Sequence, residues 1–164
     1  MKCERTDRVA FSVAGEPAPA GSKNAFRHRI TGRIVVTDAS GKRGKDWRKS
    51  VAVAAREAMG AREVLTPPIG FTMIFRMERP KSHYTPKGAL RRGAPVVPIV
   101  RPDATKLVRA VEDAMTGIVW GDDAHVVEQW VYRIYAHPEE EPGVQVTAYH
   151  LDIRQADGIA WEEA

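Results

Sequence analysis

Between Glu78 and Arg101 the chain runs for more than 20 residues without a hydrophobic period, broken by Pro80, Pro86, Pro95 and Pro98 and carrying six basic residues. Connections of that length are uncommon inside a compact domain, and those that occur are more often functional or mobile loops than packed ones. Regular structure must therefore come from the two flanking segments. In the first, Arg8 to Ala14 alternates as a strand that Gly15-Glu16-Pro17-Ala18-Pro19 stops; a basic loop around Phe26 follows, and Ile34 to Thr37 reads as a short strand. Lys45 to Met59 sets Trp47, Val51, Ala54, Ala55 and Ala58 at helical spacing before Gly60, and Ile69 to Met77 alternates as a strand after Pro67-Pro68. In the second segment a helix opens at Pro102 or Asp103, runs to Met115 or Thr116 and closes at Gly117. Val126–Ala136 and Val144–Ile153 then read as strands joined by an acidic turn. These elements predict an α/β (α+β) fold, a small mixed β-sheet of four to five strands with two main helices. Residues 1–154 are expected to form a single domain and residues 155–164 a frayed tail.

Composition narrows the class. With 164 residues, 43% of them hydrophobic and 28% charged, the chain is long enough to bury one core without staples. Cys3 is the single cysteine, which excludes a disulfide framework and a cysteine-rich zinc site and points to a reducing compartment. No apolar run approaches the length of a membrane span, and the N-terminus has no signal-peptide core, so a cytoplasmic protein with no membrane partner is expected.

Charge is distributed unevenly. Residues 1–109 hold 23 basic and 9 acidic groups, +14; residues 110–164 hold 2 basic and 12 acidic groups, −10. Such polarity suits a polyanion on one side and a cation, such as a metal ion, on the other; the alternative is that the halves neutralise each other on folding. The densest constellation is Arg101-Pro102-Asp103-Ala104-Thr105-Lys106-Leu107-Val108-Arg109, followed by Glu112-Asp113 and Asp122-Asp123. On a helix, Leu107, Val111, Ala114 and Met115 form an apolar stripe, and Asp103, Lys106 and Asp113 fall within an arc of about 80° beside it, next to Arg109. Asp103 read alone is a first-turn or N-cap residue, Asp122-Asp123 a solvated turn, and Lys106 and Arg109 a solvated face. Read together, they suit phosphodiester hydrolysis, in which carboxylates hold Mg²⁺ and a cation offsets charge on the phosphate.

The stretch RPDATKLVRAVEDAMTGIVWGDDAHVV resembles the RusA family of Holliday-junction resolvases, whose signature is Pro-Asp-x-Asp-Asn-Leu-x-Lys, a Leu-Asp-Ala-Leu helix end and an apolar-aromatic step into an Asp-Asp pair. The Gly15-x-Pro17-x-Pro19 turn and the Arg79-Pro80-Lys81-Ser82-His83-Tyr84 opening of the long loop also look like the family, so the resemblance covers residues 8–150 in order. It implies that Asp103 and Asp123 are catalytic Mg²⁺ ligands, that Asp122, the partner in the acidic pair, is a further catalytic and metal-ligating candidate, and that Asp113, the helix aspartate, is a further metal-ligand candidate; either could complete the site. Arg109 stands where the family has an essential lysine; it keeps the charge and gains a bidentate head but cannot donate a proton. Thr105 stands where the second catalytic aspartate belongs, and Lys106 replaces the usual asparagine.

The resemblance further implies a homodimer that cuts four-way or branched DNA by paired nicks, with Mg²⁺ as cofactor, Mn²⁺ as a substitute and no organic cofactor, in a phage or prophage setting. Lys23, Arg27, Arg29, Arg33, Lys42, Arg43, Lys45, Lys81, Lys87, Arg91, Arg92 and Lys106 are then candidates for tracking phosphates. Phe26 and Tyr84 are candidates for stacking on bases, whereas Trp47, Trp120 and Trp130 are expected in the core. The competing reading is a junction-binding protein with weak or lost cleavage, because Thr105 cannot supply the charge of an aspartate.

Overall fold

Alternation in Ile69–Met77 arises because this strand lies inside the sheet with helices on only one face. In the computed structural model of the chain, which describes residues 2–21, 23–38 and 41–154, six strands and two helices occur. Four strands form the main sheet in the order β1 (Lys2–Ala14), β6 (Gly143–Arg154), β4 (Ile69–Met77), β5 (Val126–Tyr135). β6 is antiparallel to both β1 and β4, whereas β5 runs parallel to β4, so the sheet is mixed. A parallel neighbour requires a crossover, and the long loop with helix α2 (Ala104–Met115) provides it. Helix α1 (Gly41–Met59) packs on α2 and β1.

Phe71, Met73 and Phe75 of β4 share one core with Trp47, Val51 and Ala55 of α1 and with Leu107, Val111 and Met115 of α2. Full burial of a side chain of this size is worth about 1.5–3 kcal/mol. Trp120, wholly buried, stacks on Phe71 with ring centroids 6.0 Å apart. Among the described residues no helix covers the other face of the sheet. There Tyr149 of β6 lies over Gly70, where an added Cβ would come within 2.3 Å of the ring, so only glycine fits beneath it. The Tyr149 hydroxyl, Trp130 Nε1 and Arg5 all donate to Glu128 Oε1, at 2.8, 2.7 and 2.7 Å. Burial alone would raise the Glu128 carboxyl, but these three hydrogen bonds and the Arg5 charge outweigh it and hold it below the ordinary range.

Four local expectations are corrected. Trp130 is not in the core but 48% exposed, because it pairs with Thr72 on the helix-free face of an edge strand. The basic loop around Phe26 contains a strand, β2 (Lys23–Arg27), paired with β3 (Ile34–Asp38) in a separate hairpin, and strand propensity in KNAFR is too weak to announce it. β1 begins at Lys2 and α1 at Gly41, both earlier than expected, because polar residues there carry no hydrophobic period. The long loop is fastened rather than loose. Arg79 donates to the Ala136 and Pro95 carbonyls at 3.2 and 2.8 Å and lies over the Tyr135 ring, while Arg133 donates to Val100 O at 2.6 Å. The tail at 155–164 lies outside the described residues.

Candidate active site

Helix α2 buries Leu107, Val108, Ala110, Val111, Ala114 and Met115, so its remaining face must meet solvent or a cleft. Thr105, Arg109, Glu112 and Asp113 occupy that face and line a cleft of about 580 Å³, closed by Asp123 on one side and Gln129 and Val131 of β5 on the other. The turn after α2 brings Asp123 back. Gly117, at φ +77°, takes a left-handed conformation that suits glycine, and its N–H donates to Trp120 O at 2.7 Å. Thr116 Oγ1 and Trp120 Nε1 then both donate to Asp123 Oδ1, the indole at 3.1 Å. The carboxylate is thus held between the end of α2 and a fully buried tryptophan.

Glu112 is the site residue that sequence reasoning passed over. It lies seven residues after Thr105, two turns down the same helical stripe, and Gln129 Nε2 donates to its Oε1 at 3.1 Å. Burial pushes its carboxyl above the ordinary value, and the neighbouring negative charges of Asp123 and Asp113 push it further. The seven-residue spacing to Thr105 was the available signal.

The other expected residues divide. Asp113 lines the Asp123 cleft and also the groove between α1 and α2. Asp122 caps the single 3-10 turn Asp123–His125, accepting from Ala124 N at 2.8 Å, and does not line the cleft. Asp103 holds the N-cap position of α2, yet its side chain makes no cap hydrogen bond. It faces a second cleft of about 470 Å³ with Glu16, Arg43, Arg101 and Lys106, and its Oδ2 lies 3.8 Å from Lys106 Nζ. The arc expected to gather Asp103, Lys106 and Asp113 is therefore split between two clefts that meet at the first turn of α2. No group of three or more acidic, histidine or cysteine side chains is preassembled for a metal among the described residues. The donor chemistry nevertheless fits a hard divalent cation: carboxylates from Asp123 and Glu112, a hydroxyl from Thr105 and an amide oxygen from Gln129, in a cleft where like charges already crowd.

Residues 15–149 match the family model "Endodeoxyribonuclease RusA". The chain belongs to the RusA family. Within that family it is an endodeoxyribonuclease, with branched DNA as substrate class and a divalent cation as a general requirement. It is also 28% identical over 149 residues, 85% of this chain, to the uncharacterized protein YqaN of Bacillus subtilis (strain 168), covering 94% of that protein.

Among the RusA residues expected to track DNA, Arg27, Arg29 and Arg33 are exposed on the β2–β3 hairpin, and Lys81, Lys87, Arg91 and Arg92 on the long loop. Lys23 is on β2 and Lys106 is exposed on α2. Two of these cations also brace their own loops: Arg27 donates to Gly32 O at 3.0 Å and Arg91 to Tyr84 O at 2.9 Å. Phe26 is half exposed, and Tyr84 is half-buried, paired with Leu90. Lys42 and Arg43, expected ahead of the first helix, belong with Lys45 to α1.

Proposed function

We propose that this chain resolves four-way DNA junctions by paired, two-fold-related nicks, acting as a homodimer with Mg²⁺, for which Mn²⁺ substitutes. The observation that carries the reading is the cleft in which Asp123, anchored by Thr116 and Trp120, faces Glu112 beside Arg109. Asp123 and Glu112 would hold the cation, with Asp103 completing the carboxylates from the adjacent cleft, since no cap hydrogen bond occupies it. Glu112 thus supplies the charge that Thr105 lacks, from the same stripe two turns further on. The chemistry a bound Mg²⁺ supplies is polarisation of the phosphoryl oxygen and activation of water. Arg109 binds the scissile phosphate through its planar fork and offsets charge in the transition state. Its guanidinium keeps its protons, so protonation of the leaving oxygen falls to solvent or to another group. A two-fold dimer suits this reading because resolution requires two equivalent cuts.

The test uses a mobile four-way junction labelled in turn on each strand, incubated with the protein and Mg²⁺, with EDTA and Asp103→Asn as controls. Symmetric paired nicks in Mg²⁺ alone are the expected result. Arg109→Gln should lower cleavage about a hundredfold and Arg109→Lys less, because losing an oriented charge at the phosphate removes about 3 kcal/mol of transition-state stabilisation. Junction binding with no cut in Mg²⁺ or Mn²⁺ overturns the resolvase and favours the binding-only reading. Unpaired cuts favour a broader branched-DNA nuclease.

A further inference from the structure

The exposed loops are not the only cationic surface among the described residues. Helix α1 carries six basic residues and two acidic ones. At 100° per residue, Lys45, Arg48, Lys49 and Arg56 fall within an arc of roughly 100°, whereas Asp46 and Glu57 lie outside it, and Trp47, Val51 and Ala55 are buried on another face. The stripe is about 16 Å long, matching the axial rise of about five base pairs of a B-form duplex. It forms one wall of a groove of about 740 Å³ that Asp113 and Thr116 also line. Asp113 also lines the active-site cleft, and Thr116 donates to Asp123. The basic groove therefore runs into the site.

Two further observations indicate an anionic occupant. Lys45, Lys49 and Arg56 are exposed and have no ion pair among the described residues. The first turn of α1 holds Lys42 and Arg43 and no acid, an arrangement that the helix dipole disfavours; Glu16 offsets Arg43, and an anion along the helix would offset Lys42.

We propose that one duplex arm of the DNA lies along α1, its phosphate backbone seated on Lys45, Arg48, Lys49 and Arg56, and that this groove delivers the strand to Asp123. The inference rests on the DNA-cleaving reading and adds the route by which substrate enters. It predicts contacts to phosphates and none to base edges, so α1 contributes affinity without sequence preference.

The test compares the wild-type chain with Lys45→Gln/Lys49→Gln/Arg56→Gln, measuring junction affinity from 0.05 to 0.3 M salt. Glutamine keeps the helix propensity of these exposed positions, and circular dichroism with Mn²⁺ binding by electron paramagnetic resonance verifies the fold and the site. The expected result is a salt slope shallower by about 3 and an affinity weaker by on the order of a hundredfold at 0.15 M salt, with Mn²⁺ binding unchanged. A second, independent readout places a photo-crosslinker on Val53→Cys in a Cys3→Ser background, at the groove wall. Cross-links within a few nucleotides of the nick support the route; cross-links only far from it, or none, overturn it. An unchanged slope in the triple variant overturns it as well while leaving the nuclease reading intact. Absence of salt-dependent junction binding by the wild-type chain overturns both.

Discussion

Two clefts flank the first turn of α2, and each contains an aspartate that the family pattern makes catalytic, yet their electrostatics are opposite. Around Asp103 stand Arg43, Arg101 and Lys106, and Glu16 is paired with Arg43. Around Asp123 stand Glu112 and Asp113, with Arg109 the cation that lines the same wall. Negative charge in the first cleft has partners within the chain, while in the second it accumulates until the Glu112 carboxyl is driven upward. The difference is one of uncompensated negative charge, which on the proposed reading is what draws the cation, and Glu112 contributes to it beside Asp123 and Asp113.

The largest test of this contrast is Asp123→Asn. Removing the anchored carboxylate should abolish Mn²⁺ binding and lower junction cleavage by a hundredfold or more, since metal-assisted stabilisation is worth several kcal/mol. Asp103→Asn should weaken Mn²⁺ binding by a smaller factor, read by the same resonance titration. An equal loss at both positions would erase the distinction between the clefts.

Glu112→Gln is the next in size and acts on stability in the opposite direction. A carboxyl raised on folding binds its proton more tightly in the folded chain, so its contribution is fully favourable below the ordinary value of 4.5 and is lost as the pH climbs through the raised value. Replacing it with a neutral amide should therefore raise the melting temperature in metal-free buffer at pH 7. The advantage should vanish below pH 4.5, and thermal melts from pH 4 to 8 follow it directly. A variant less stable than wild type at pH 7 would show that the Gln129 hydrogen bond outweighs the crowding.

The smallest effect is expected from Lys106→Gln. Lys106 and Asp103 are an exposed pair one helical turn apart at 3.8 Å, and such pairs contribute about 0.5 kcal/mol or less. A change in melting temperature below about 2 °C is expected. A larger loss would mean that Asp103 depends on its cation far more than the geometry shows.

Much of this architecture can be read from the chain because it follows from periodicity. Ile69–Met77 has the observed bounds of β4, and the expected end of the second helix coincides with the turn at Gly117, since one face of each element packs on a core and the other does not. What escaped was set by partners distant in sequence. KNAFR becomes a strand because Ile34–Asp38 pairs with it, and Trp130 is exposed because no helix covers its side of β5. Glu112 stood next to residues already singled out, but its role depends on Asp123 folding back against α2, which no local pattern displays. The cations of α1 were countable, and only the helix turns them into a single stripe.

On the proposed reading, the hydrogen bond from Trp120 to Asp123 couples the packing of the interior to the cation site. Trp120 is sealed within the core and stacked on Phe71 of the inner strand β4, so the carboxylate is aligned to the sheet rather than to the surface turn that bears it. In most proteins a conservative change at such an interior position is absorbed as a small loss of stability. Here the same change would also re-aim Asp123, so on the proposed reading a core substitution is felt in cleavage as well as in stability.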